Sequence, residues 1–174
     1  MKDSGDQLFA SLYEELRRMA QQQLRRGGPA LTLGATTLLH EAYLNLQARG
    51  SVDFPDRSRF LGYASRAMRG LIIDYARRRQ AQKRGGEFEI TSLSTSIAEA
   101  SADADELTRL SSALDELEVT DPGLARVVDL KFFGGFSFAE IASMMDVSER
   151  TIQRDWQKAR IYLHQVLRSD ALSA

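Results

Sequence analysis

The stretch that decides the fold is Ser137-Phe138-Ala139-Glu140-Ile141-Ala142-Ser143-Met144-Met145-Asp146-Val147-Ser148-Glu149-Arg150-Thr151-Ile152-Gln153-Arg154-Asp155-Trp156-Gln157-Lys158-Ala159-Arg160-Ile161-Tyr162-Leu163. Ser137 with Glu140 three residues on is a capping box, which satisfies two orphan donors at a helix start. The helix it opens turns Phe138, Ile141, Ala142 and Met145 inward. Met145-Asp146-Val147 then makes a short turn, with Asp tolerating a left-handed backbone. Ser148 caps the next helix, and Glu149 sits at its positive end. Along that helix Ile152, Trp156, Ala159 and Leu163 form a narrow apolar stripe. Arg150, Arg154 and Gln157 lie opposite, flanked by Gln153 and Lys158. A lone amphipathic helix more often has a merely solvated outer face. A short capped helix and tight turn before it make the pair a helix-turn-helix, whose second helix enters the DNA major groove. Arg and Lys there donate to guanine or phosphate, and Gln pairs with adenine.

Working outward, apolar spacings of three and four recur along the chain, so the expected fold is all-α. Leu8, Leu12, Leu16 and Met19 outline a first helix, stopped by Gly27-Gly28-Pro29. Leu38, Leu39, Ala42 and Leu46 stripe a second. After the loop Phe54 to Ser58, a third and longer helix has Phe60, Ala64, Ala67, Leu71 and Tyr75 as its inner face. Arg59, Arg66 and Arg77 share a flank away from that face. Leu107, Leu110, Leu114 and Leu117 fit one further helix up to Thr120-Asp121-Pro122. Leu124, Val127, Val128 and Phe132 fit another up to Gly134-Gly135. The expected organisation is two small helical domains, 1–84 and 107–174, joined by a flexible acidic linker over 85–106.

The net charge of −1 conceals strong segregation. Residues 1–84 carry 15 bases and 8 acids, residues 85–108 carry 6 acids and no base, and residues 109–174 carry 8 bases and 10 acids. Such asymmetry often accompanies nucleic-acid binding, although a solvated basic surface gives the same count. The absence of cysteine excludes disulfides, thiolate metal sites and a cysteine nucleophile. No apolar run spans a bilayer and no secretory signal opens the chain, so a cytoplasmic location is expected. Enzyme chemistry finds little support. His40-Glu41 lacks the second histidine of a zincin pair, and there is no phosphate-cradling glycine loop or nucleophile elbow. No catalytic residue, metal site or cofactor is expected.

The chain resembles the extracytoplasmic-function (ECF) sigma factors, a two-domain group. In the C-terminal half the resemblance runs through Asp121-Pro122-Gly123-Leu124-Ala125-Arg126, Leu130 to Ser137, Glu140-Ile141-Ala142, Val147 to Ile152 and Ala159 to Leu163. It implies a reader of the upstream (minus-thirty-five) promoter element, with Arg150, Thr151, Gln153, Arg154, Gln157 and Lys158 on DNA. In the N-terminal half it rests on Phe60 onward, especially Arg66 to Arg79. That half is expected to recognise and open the downstream (minus-ten) element. Arg66, Arg69, Arg77 and Arg78 would hold phosphates, and the loop Phe54 to Arg59 would seat a flipped base through Phe54, Arg57 and Ser58. The family often has Asn where this chain has Gly70.

The resemblance further implies core RNA polymerase as partner, through its clamp coiled coil and its flap. Thr36, Thr37, Leu38, His40, Glu41 and Leu44 would form the coiled-coil contact. At Gly34-Ala35-Thr36-Thr37 the family's acidic stretch is missing. Phosphorylation of Thr36 or Thr37 would restore about 1.5–2 negative charges, making a Ser/Thr kinase, rather than an anti-sigma factor, a candidate switch. Plain helix capping by threonine is the bland alternative. Two other functions stay open: a conventional helix-turn-helix regulator that binds duplex operator DNA alone, and a decoy that binds polymerase without opening DNA.

Overall fold

The computed structural model describes residues 3–26, 33–84 and 93–173. They form an all-α fold. A two-residue antiparallel ladder, β1 (Asp3–Ser4) with β2 (Asp53–Phe54), ties the start of the chain to the loop before the longest N-terminal helix. Ser4 caps α1 (Gly5–Ser11) in a reciprocal box with Gln7. The single first helix expected from Leu8 to Met19 is broken at Leu12, where φ −109° and ψ 20° separate α1 from α2 (Tyr13–Arg26). The bend keeps Leu8, Leu12, Leu16 and Met19 buried on one side. The glycine-proline stop expected after α2 lies outside the described residues. α3 (Ala35–Ala48) buries Leu38, Leu39, Ala42 and Leu46, the expected stripe.

α4 (Arg57–Arg84) starts where the Asp56 carboxylate accepts from the Arg59 backbone N–H and the Ser58 hydroxyl. It has two buried faces instead of one. Phe60, Leu61, Ala64, Met68 and Ile72 pack on the N-terminal helices. Ser65 and Arg69, one turn apart, are buried against the C-terminal half. Ala67, Leu71 and Tyr75, expected inward, are only half-buried.

Part of the expected linker is helical. Residues 93–106 begin α5 (Leu93–Thr120), a continuous helix, and only residues 85–92 of the expected linker lie outside the described residues. The physical reason is local: no Gly or Pro interrupts residues 93–120, while Ala, Leu and Glu favour helix. α6 (Pro122–Val128) opens with Asp121 as cap and Pro at its first position. A π-helical segment (Asp129–Phe133) follows and turns Asp129, Leu130 and Phe133 inward together. At Gly134 an added β-carbon would meet the Leu130 carbonyl oxygen at 2.7 Å, so only glycine closes this turn. α7 (Phe138–Met145) and α8 (Glu149–Ser173) complete the chain.

The halves are not independent cores. Val127, Leu130, Phe136, Ile141, Ala142 and Ile152 join one apolar cluster with Leu16, Met19, Leu38, Leu61 and Met68. A second cluster, with Leu114, Leu117, Phe133, Ala159 and Leu163, belongs to the C-terminal half alone.

Candidate nucleic-acid interface

The helix-turn-helix forms as its local chemistry dictates. The Ser137 N–H donates to Glu140 Oε2 at 2.8 Å, and the Glu140 N–H donates to Ser137 Oγ at 3.1 Å. The bond from the Ser137 backbone is the main reason the Glu140 carboxyl is held below its ordinary range; burial opposes it and Arg18 assists. Asp146 takes the left-handed conformation, φ 54° and ψ 47°. Ser148 Oγ accepts from the Thr151 N–H at 3.1 Å and starts α8. With Ile152 and Ala159 fully buried, the opposite face presents Arg150, Gln153, Arg154, Gln157 and Lys158 to solvent. Thr151 differs: it is half-buried, and its hydroxyl lies 2.9 Å from that of Ser148. Its first role here is in the cap. Arg154 has Asp155 for a neighbour at 3.8 Å.

The downstream set divides. Arg57, Arg59, Arg77 and Arg78 are exposed, with Arg59 Nε 3.6 Å from Asp56. Burial pushes the Asp56 carboxyl upward, but the Ser58 hydroxyl, the Arg59 N–H and nearby guanidinium charge outweigh it and hold it low. Phe54 is buried, packed edge-on to Phe60 at 5.2 Å and tilted to Tyr63 at 5.4 Å. Ser58 is buried with its hydroxyl donated to Asp56. In this arrangement, therefore, Phe54 and Ser58 build the loop rather than offering themselves to a base.

Arg66 and Arg69 are engaged by the C-terminal half. Arg66 pairs with Glu118 at 2.9 Å. Arg69 is 2% exposed: it pairs with Asp129, donates Nε to Ser111 at 3.1 Å, and lies 3.7 Å from Asp115. Arg69, expected on DNA, is thus covered by the C-terminal half in this arrangement. Desolvation drives the Asp129 carboxyl up to about 6, with Arg69 and Arg66 pulling the other way. A cavity of about 180 Å³ runs along the seam, lined by Phe54, Tyr63 and Arg66 from one half and Glu118, Arg126 and Asp129 from the other. Reading the sequence missed Tyr63, one turn after Phe60 on an aromatic edge, and missed the acids of α5 as partners for α4. The second omission had no local signal, because Glu118 lies 52 residues from Arg66.

On α3 the exposed face carries Thr36, Thr37, His40, Glu41 and Leu44. Leu38 is fully buried in the core and cannot be a surface contact, as its place in the apolar stripe requires. Gly34 is the cap residue and offers no side-chain bond. Neither threonine caps the helix, so the capping alternative fails; they are its second and third residues, with no acid in that first turn.

The family model described as ECF sigma factor matches residues 2–169, nearly the whole chain. The chain belongs to the ECF sigma factor family. No curated protein and no solved structure gives a match. This sigma factor accordingly has core RNA polymerase and promoter DNA as its partners in transcription initiation. Among the described residues no helix is long and apolar enough to cross a membrane, and no cluster of metal-ligating side chains occurs.

Proposed function

We propose that this sigma factor directs polymerase to a two-element promoter and that phosphorylation of α3 gates its access to the enzyme. The α8 face of Arg150, Gln153, Arg154, Gln157 and Lys158 reads the upstream duplex. α4 and the loop before it hold the melted downstream element. α3 docks on the clamp coiled coil through Thr36, Thr37, His40, Glu41 and Leu44. The observation that carries the gating is the first turn of α3, where two exposed threonines stand and no carboxylate does. A phosphate there would add about 1.5–2 negative charges at the positive end of a helix, which favours them. It would supply the charge that a basic coiled-coil surface requires. A kinase therefore fits this chain better than an anti-sigma factor as the switch.

Run-off transcription with purified core polymerase, with and without kinase treatment, tests the reading. Promoter-specific transcripts are expected only after phosphorylation, or with Thr37→Glu, alone or together with Thr36→Glu. Equal polymerase binding by the unphosphorylated wild type, the alanine variants and the glutamate variants would sink the gating idea. Binding to duplex DNA without any need for polymerase would favour a conventional regulator.

A further inference from the structure

We infer that the free sigma factor is self-inhibited: its C-terminal half occupies the DNA-opening face of α4 with its own carboxylates, and initiation requires the two halves to separate. The inference rests on the promoter-opening role proposed above for α4, and it concerns how that face becomes available.

Four features converge on the seam. The Arg69 guanidinium, sealed from water, is held by Asp129 and Ser111, with Asp115 close by and the Phe133 ring 5.0 Å away. Arg66, one turn earlier, is held by Glu118. Carboxylates thus take the positions that phosphates would need, and they are supplied by α5 and the π segment. Ser65 Oγ donates to the Asp129 carbonyl, and Gln23 donates to Ser65, so the backbone of the π segment is pinned as well. At the far end Arg18 bonds the Gly135 carbonyl at 2.8 Å and Glu140 at 3.3 Å, while Arg26 lies 3.8 Å from the Phe132 ring centre. Beneath these polar contacts, Leu130, Phe136 and Ile141 share a core with α2 and α4. π-helical turns often mark functional positions; here one brings Asp129 and Phe133 to Arg69.

Geometry makes the contact exclusive of function. Elements named for positions thirty-five and ten lie about 25 base pairs apart, about 85 Å along B-form DNA. A compact chain of this length has a radius of gyration of about 16 Å. With α7 seated against α4, one chain cannot lay α8 on the upstream element and α4 on the downstream one. The promoter-opening state is therefore an open state, and apparent affinity falls with the fraction of molecules that are open.

The absence of cysteine makes the test direct. A β-carbon added at Gly62 on α4 would lie 3.4 Å from Cγ of Arg126 on α6. Arg126 Cβ is one bond further on and lies beyond 4 Å, so a Gly62→Cys/Arg126→Cys pair would place its β-carbons at the upper end of the disulfide range, about 3.5–4.5 Å. The full-length variant, carried like its controls in the Thr36→Glu/Thr37→Glu background, is oxidised, freed of oxidant, and assayed for core polymerase binding and promoter opening before and after dithiothreitol. The bridge is expected to form readily in the free protein. It should lower promoter opening by about tenfold or more, with recovery on reduction. Failure of the pair to bridge in the free protein, or equal opening by the oxidised and reduced forms, would overturn the inference. A Thr36→Glu/Thr37→Glu chain without the cysteines that binds no core polymerase would instead overturn the sigma reading of the interface. A second variant, Asp115→Ala with Glu118→Ala, removes exposed and half-exposed carboxylates and leaves the apolar seam alone. It should raise promoter opening over wild type; unchanged or lower opening would count against the inference whatever the disulfide does.

Discussion

Replacing Asp129 with alanine is expected to cost about 3–5 kcal/mol, the usual loss when one member of a buried ion pair is removed. The surroundings of Arg69 show why relaxation offers little relief. Asp115, 3.7 Å away, is 71% exposed, and a pair of that kind is worth less than about 1 kcal/mol. The Ser111 hydroxyl contributes about 1 kcal/mol, and the Phe133 ring about as much again. Together these fall short of the several kcal/mol needed to keep a guanidinium out of water. The protein must then either bear the loss or part the halves to hydrate Arg69. For a chain of this size each kcal/mol moves the melting temperature by about 2–4 °C, so a fall of about 10 °C is expected. Urea and thermal unfolding of Asp129→Ala, Arg69→Met and the double variant Arg69→Met/Asp129→Leu measure it. The double variant should recover most of the loss, because an apolar pair of similar volume replaces a buried ion pair at little cost. A single-variant loss below about 1 kcal/mol, or a double variant no better than the worse single, would refute the buried pairing.

Other outcomes follow from the same contacts. The Asp129 carboxyl, raised from 3.8 to about 6 by burial, faces Arg66 and Arg69 from α4, Glu118 and Asp115 from α5, and Arg126 from α6. Because the folded form holds that proton more tightly, its contribution is fully present below pH 4 and is lost as pH rises through 6. Unfolding measured across that window should show wild type losing stability relative to Asp129→Asn as pH rises; a flat difference would contradict the raised value. Ser137→Ala removes the cap of α7 and should cost about 1 kcal/mol in the same assay. Gly70→Ala, where an added β-carbon meets nothing within 4 Å, should stabilise α4 by about 0.5–1 kcal/mol, and a loss would mean that the site is tighter than it stands here. Arg154→Ala or Gln157→Ala should cost about 1–3 kcal/mol at one base position and relax discrimination there, measured by binding to single-base promoter variants. Arg77→Ala should weaken binding across sequences and flatten its dependence on salt, with the reverse pattern refuting a phosphate role.

Legibility from sequence tracked the range of the interaction. Ser137 with Glu140, Asp146, and Ser148 are contacts within three residues, and each stood where the sequence placed it. The stripe Leu38, Leu39, Ala42 and Leu46 was equally plain. It also contradicted the assignment of Leu38 to a polymerase contact, since a residue cannot serve both core and surface. α4 escaped because a helical wheel was read as having one buried face. Arg69 lies on the second, and charge alone argued for solvent; its partner Asp129 is 60 residues away. The start of α5 is hard to read for another reason. Acids, serines and alanines are also the composition of a solvated linker, yet without glycine or proline they propagate a helix from the strong Leu107 to Leu117 segment back to Leu93.

The charge segregation acquires a second meaning once the partners are known. The excess of positive charge before residue 85 suggested nucleic acid as its counterpart, but part of that counterpart is intramolecular. Arg18 meets Glu140, Arg66 meets Glu118, and Arg69 meets Asp129, each pair crossing from the basic half to the half that is net acidic. A closed chain of net charge −1 has little long-range attraction for DNA. Opening would uncover the basic face of α4 where polymerase holds the promoter, raising attraction for phosphates at the moment it is useful. It follows that association of the free chain with DNA should depend weakly on salt, while polymerase-bound association should depend steeply. Salt titrations of both would separate this arrangement from a permanently open one, in which the two slopes would agree.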